Sequence, residues 1–349
     1  MVSSGEYRMK KPCEQLDRRE FLKSAARATT AGAAFASVGS AAAPLVAWAD
    51  QTVRPPGSRI SYYRNGEICV GELGKPEGRP LTTGHVDFKP SWSRTGDMLV
   101  CFRRTKDDPV TANWKSAIFV IGADGAGFHL LSDGTRTDFN PTWTRDGSNT
   151  PIWNRRNERT GGYFVMQARV DGKPGEERTI TDERFHSWAH SCLMDGRILV
   201  NSAHPSLGWG VFLLSTRSGR EPVYESVQWE LGDRGQMHRA SISPSEAKIC
   251  FEFLPGSSFT EAGHILYVGD FDPRRRTVSN LKAFANKEGR KIWFAYPRWI
   301  EGETAVIYHS GETGTNQLYV YRLDDGSIRR VSKDANADYR YPHGEAAPC

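Results

Sequence analysis

The sequence predicts an all-β protein: a six-bladed β-propeller, closed by pairing of its C-terminal segment with the first blade and preceded by a signal peptide. Three observations carry this reading. The stretch DFKPSWSRTGD at 87–97 returns as DFNPTWTRDGS at 138–148, an offset of 51 residues. Turn signals then recur at Gly96, Gly147, Gly196, Glu246 and Gly302, at spacings of 51, 49, 50 and 56. The beginning and end of the repeated region are two halves of one unit. A period near 50 with about four short strands per unit is the mark of propeller blades.

Each unit follows one grammar. The two opening motifs lead through a turn into an apolar run, DMLVCFRR or TPIWNRR. A second apolar run follows, SAIFVIGADG or GYFVMQARVDG, and then a short polar strand, HLLSDG or RTITD. Strand, turn, strand, turn, strand is an antiparallel meander. The same order continues in HSCLMDGRILVNSAHP with GVFLLSTRSG, in HRASISPSEAKICFEFLP with HILYVGDFDP, and in YPRWIEGETAVIYHSG with QLYVYRLDDGSIRRVS. The opening RISYYRNGEICVGELGKPEGRPLTTG has the later strands of a unit and no motif before them. The closing ADYRYPHGEAAP has the motif and no later strands. Joined, they make a sixth blade and leave no open sheet edge.

The repeated residues have mechanical roles. Pro90, Pro141 and Pro297 fix φ where the chain arrives from the neighbouring blade. Trp92, Trp143 and Trp299 fill the space between blades, each burying on the order of 150–250 Å². The Asp-Gly or its equivalent turns the chain into the second strand.

Composition agrees. Of 349 residues, 38% are hydrophobic and 25% charged, as in a soluble globular protein with a core, and 34 glycines and 10 tryptophans suit many turns and aromatic-rich strands. The formal charge of +5 is partly N-terminal: residues 1–49 hold seven Lys/Arg and four Asp/Glu, leaving 39 basic and 37 acidic residues. That balance excludes a nucleic-acid partner that needs a basic face.

The N-terminal segment DRREFLKSAARATTAGAAFASVGSAAAPLVAWAD resembles a twin-arginine (Tat) export signal. Arg18-Arg19 precedes Phe21-Leu22-Lys23, the following stretch is small and apolar, and Ala47-Trp48-Ala49 offers a cleavage site. The expected organisation is a signal over 1–49, a linker over 50–57 and a propeller over 58–349, with a mature protein in the periplasm or outside the cell and no stable membrane anchor after cleavage. Cys13 leaves with the signal. Cys101 and Cys250 lie in apolar runs at matching places of the repeat and read as buried small hydrophobes.

The motif Asn140-Pro141-Thr142-Trp143-Thr144-Arg145-Asp146-Gly147 resembles the N-P-x-W-S-P-D-G repeat of the TolB-like propellers. Lys89 to Gly96 and Tyr296 to Gly302 are similar but looser. The resemblance spans roughly 58–349. After the signal, the chain leaves no room for the N-terminal α/β domain of TolB, so the likeness is to the propeller and not to TolB itself. It implies a binding module that holds a saccharide or a peptide segment at its channel mouth.

Function is expected where the blades differ, because a site is built on the scaffold rather than in it. The segments leading into the innermost strands contain Asp87, Lys89, Asp138, Asn140, Tyr296, Tyr339 and Tyr341 as candidate ligand-binding residues. His186, His190, Gln236, His238 and His343 are candidate ligands of a divalent metal such as Mn, Ca or Zn. His186 and His190 share a face if that segment is extended, as do Gln236 and His238. Histidine also serves as a general base near neutral pH.

His186, His238, Arg239 and Arg298 are therefore candidate catalytic residues in a second reading, a metal-assisted lyase acting on uronic-acid oligosaccharides. That chemistry needs a cation or Arg at the carboxylate and a base at C5. The site composition is similar to that of the oligogalacturonate lyases, which have seven blades. No HExxH, G-x-S-x-G, G-x-G-x-x-G or P-loop occurs, which removes the peptidase and nucleotide-binding readings. Arg274-Arg275-Arg276 reads as a solvated loop tip.

Overall fold

The computed structural model describes residues 59–107, 114–216, 220–256 and 263–344. The expected signal at 1–49, the linker at 50–57, Cys13 and Cys349 lie outside the described residues. Among these, the strands form six sheets arranged as consecutive blades. Blade one is composite: Arg59–Arg64, Glu67–Glu72 and Lys75–Pro80 are joined by Tyr339–Gly344 from the far end of the chain. Ile60 pairs with Gly344, Ser61 with His343, Tyr63 with Arg340 and Arg64 with Tyr339, so the ring closes as the sequence predicts.

Blades two, three, four and six start at the innermost strands Asp87–Trp92, Asp138–Trp143, Ser187–Cys192 and Phe294–Ile300. Blade five, starting at Gly235–Ile242, has a fifth strand beyond the four-strand repeat: Gln228–Trp229 runs parallel to Thr277–Ala285 on its outer edge.

All five turn positions read from the sequence have positive φ: Gly96 at 70°, Gly147 at 88°, Gly196 at 86°, Glu246 at 63° and Gly302 at 61°. Four are glycine because the left-handed region carries a steric penalty for a Cβ. Alternating apolar residues of adjacent sheets fill the gaps between blades. Leu199, Val211 and Leu213 of blade four, for example, meet Met237, Ile249 and Phe251 of blade five.

The repeat tryptophans do more than fill space. Trp92 Nε1 donates to His343 O (3.2 Å), Trp143 to Ser91 O (2.8 Å) and Trp299 to Ser241 O (2.9 Å). Each indole thus reaches the innermost strand of the preceding blade at the same register position. Cys69, Cys101, Cys192 and Cys250 are buried free thiols, as read for Cys101 and Cys250. No helix among the described residues is long and apolar enough to cross a membrane.

Candidate functional site: a charged hub and an uncharged cleft

A β-bulge interrupts every innermost strand one step before its Trp-equivalent position. In five blades the first bulged residue is non-glycine with positive φ: Lys89 (51°), Asn140 (62°), Arg239 (47°), Tyr296 (56°) and Tyr341 (52°). Such bulges re-aim a side chain, and left-handed non-glycine residues store local strain. Here they turn unlike side chains toward a common hub. Lys89 Nζ donates to Asn140 Oδ1 and lies 5.1 Å from the centre of the Tyr296 ring. The Arg239 and Arg298 guanidiniums lie 4.6 and 6.0 Å from that same ring, and Tyr341 meets it edge-on at 4.6 Å.

Glu252 is the carboxylate of this group, and it is fully buried. Its Oε2 takes Arg239 Nη1 at 2.6 Å and His264 Nδ1 at 2.9 Å, while Oε1 accepts Tyr296 N–H at 2.6 Å. Burial acts to raise its pKa, but Arg239, His264 and the Tyr296 amide outweigh it and hold the carboxyl well below the usual carboxylate range. The position is part of a pattern. Asn154 Oδ1 accepts Ala189 N–H (2.8 Å) and His309 Nδ1 accepts Tyr341 N–H (3.3 Å), so second-strand residues of blades three, five and six each hold the innermost strand of the next blade. The sequence signal for Glu252 was a lone acid inside the apolar run CFEF.

Lys89 is pushed well below the ordinary lysine pKa by burial and by Arg298 and Arg239. Arg298 Nη1 donates to the carbonyls of Arg239 (2.9 Å) and Pro297 (2.8 Å). Beneath the bulges, Arg298 joins Ser91, Thr142, Ser191, Ser241 and His343 around an axial cavity of about 120 Å³. Arg145 also borders it and reaches from blade three to Ser243 O (3.1 Å) and Pro244 O (2.8 Å) of blade five.

The structure divides the sequence-derived candidates. Lys89, Asn140, Arg239, Tyr296, Arg298 and Tyr341 meet at the hub. Asp87 and Asp138 do not: each is buried in its own blade, gripped through two oxygens by Arg103 (2.7 and 2.9 Å) or Arg155 (2.7 and 2.7 Å). In a regular strand Asp87 and Lys89 would share a face, but the bulge separates them. Tyr339 packs on Tyr62 within the apolar core, centroids 5.7 Å apart.

The histidines are also dispersed. His186 lies against Tyr163 and Trp209, with burial pushing it down to about 4. His190, at the bulge of blade four, is pushed down to about 3 by burial, with Lys89, Arg298 and Arg239 nearby. It lies against the Asn201 amide, yet neither ring nitrogen has a hydrogen-bond partner among the described residues. Gln236 Oε1 meets His238 Nε2 at 2.9 Å, on one face as expected. His343 Nε2 lies 3.3 Å from Ser91 Oγ. Among the described residues, no three His, Cys, Asp or Glu side chains gather as a metal site.

A second concavity was not legible in the sequence. A cleft of about 630 Å³ opens between blades four and five. Its rim carries Leu207 and Trp209, 50% and 41% exposed, and its wall carries Gln228, Trp229, Gln236 and Asn201. None of its described lining residues is ionisable. Asn201 Nδ2 donates to Met237 O (2.6 Å), and Oδ1 has no described partner. The lone signal in the sequence was SLGWG, a tryptophan flanked by glycines.

The fold is that of a six-bladed β-propeller with a polar hub. No family model and no curated protein matches the sequence. Among solved structures, the chain is similar to TolB from Acinetobacter baumannii (TM-score 0.61, 11% identity, covering 82% of this chain and 66% of that one). It is also similar to a putative TolB from Agrobacterium tumefaciens (0.53, 14%, covering 84% and 99%) and to Kuenenia stuttgartiensis hydrazine synthase (0.63, 16%, covering 84% and 47%). The chain thus spans less than two thirds of the TolB from Acinetobacter and about half of the hydrazine synthase chain. At these identities the likeness is one of fold.

Proposed function

We propose that this protein is an exported binding module that holds a saccharide at the mouth of its propeller, in the cleft between blades four and five. The observation that carries this reading is the chemistry of the cleft. An exposed indole face at Trp209 suits the C–H face of a sugar ring. The amides of Gln228 and Gln236 offer hydrogen bonds for hydroxyls. The described lining carries no charge, so a neutral ring enters without desolvating an ion. Export is supported by the Arg18-Arg19 signal, and a binding role agrees with the fold.

Glycan-array screening followed by calorimetry tests the reading. A neutral oligosaccharide is expected to bind, with Trp209→Ala and Gln228→Ala each weakening it at least ten-fold while the melting temperature stays within a few degrees. Binding only of extended peptides would replace the saccharide with a peptide segment. Metal in the purified protein together with unsaturated uronides from polyuronate would replace binding with lyase activity. For export, changing Arg18 and Arg19 to Lys together is expected to hold the precursor in the cytoplasm.

A further inference from the structure

We infer that the axial cavity beneath the hub is an anion site, in which Arg298 holds a carboxylate and the buried Lys89 next to Arg298 adds its charge from the hub above. It is separate from the saccharide cleft and does not depend on it. Three cationic groups, Lys89, Arg239 and Arg298, lie within about 6 Å of one ring, Tyr296, and all are more than nine-tenths buried. Glu252 offers one negative charge, and its two oxygens are engaged by Arg239, His264 and the Tyr296 amide. Lys89 bonds a neutral amide oxygen and Arg298 bonds two neutral carbonyls, and neither has a carboxylate partner among the described residues. Burying a charge without a counter-charge costs several kcal/mol, so this arrangement favours whatever anion fills it.

The cavity has the matching polarity. Arg298, Arg94 and Arg145 border it against one carboxylate, Glu303, and Ser91, Thr142, Ser191 and Ser241 contribute hydroxyls from four successive blades. Its volume of about 120 Å³ suits a carboxylate-sized group rather than a sugar ring. The depressed basicity of Lys89 agrees: burial first, and then two neighbouring guanidiniums, oppose its charge, and an anion would relieve part of that opposition.

The same carboxylate chemistry is available from a free small acid and from an acidic sugar, and the experiment separates them. The melting temperature of the full mature chain would be followed against acetate, its uncharged isostere acetamide, and digalacturonate. Acetate is expected to raise it saturably and acetamide to leave it unchanged. Lys89→Met removes the charge at nearly constant volume, so it should fold, melt higher than wild type without anion, and bind acetate at least ten-fold more weakly. A Lys89-dependent response to digalacturonate as well would assign the carboxylate to a sugar acid, and a response to acetate alone to a small free anion. Equal effects of acetate and acetamide, no effect of either acid, or an acetate response unchanged in Lys89→Met would each overturn the inference, whether or not a neutral saccharide binds the cleft.

Discussion

The interface between blades two and three and that between blades four and five solve one problem differently. Between two and three, Trp143 spans the gap and its indole reaches Ser91 O at 2.8 Å. Behind it the Asp138–Arg155 pair ties the first strand of blade three to the second. Between four and five, the Trp position is Ile242, whose main-chain N–H reaches Ser191 Oγ at 3.3 Å, and the positions matching Asp138 and Arg155 are Met237 and Phe253. Where the motif is kept, the interface is sealed. Where it is lost, a cleft of about 630 Å³ opens and the hub carries Arg239 and His190. The repeat is thus a stability device, and its erosion over two neighbouring blades leaves a cleft.

The largest test lies at Glu252. Glu252→Gln leaves Arg239 buried without its carboxylate and should cost about 3–5 kcal/mol in urea unfolding. A loss under 1 kcal/mol would mean that the hub charges are better hydrated than their burial implies. Trp143→Ala in the sealed interface should cost about 3–5 kcal/mol, whereas Trp209→Ala, on the rim of the open one, should change stability by no more than about 0.5 kcal/mol. Equal costs would break the comparison.

Between these lies a pH effect. His190 and His343 titrate at about 3 in the folded chain, and near 6.5 when unfolded. Between those values the unfolded chain binds more protons, so stability rises with pH from about 3 to 6.5 and levels off above. Urea midpoints measured from pH 7.5 to 4 should fall below about 6.5, and fall less in His190→Asn. The smallest effect is expected from Trp143→Phe. It keeps much of the ring's bulk but loses the indole donor, for about 1 kcal/mol.

Most of the fold was legible because its signals are local. Glycines at the turns announce positive φ, and even Glu246 was placed by spacing alone. The composite blade followed from counting strands at both ends. The hub was half legible. Lys89, Arg239 and Tyr296 stand out because they are unlike their counterparts in other blades, but Asp87 and Asp138, which lie in the same entry segments, are parted from the hub by a bulge. Bulges leave little trace in composition. Glu252 was missed because it lies on a second strand, where an isolated acid in an apolar run resembles noise until its neighbours are known. The cleft was invisible because it is an interface between two blades, set by what is missing from the motif.

The pairing of Ser61 with His343 has a consequence for how the chain reaches its native state. Each blade can gather from neighbours in sequence, but the seam must join strands about 280 residues apart. Contacts of such separation form slowly, since the entropy of closing the loop must be met before the contact rewards it. During synthesis the three N-terminal strands of blade one wait with a bare edge, Arg59–Arg64, until the final strand emerges. The most vulnerable moment in the life of this protein is therefore the interval in which five blades are finished and the sixth is not.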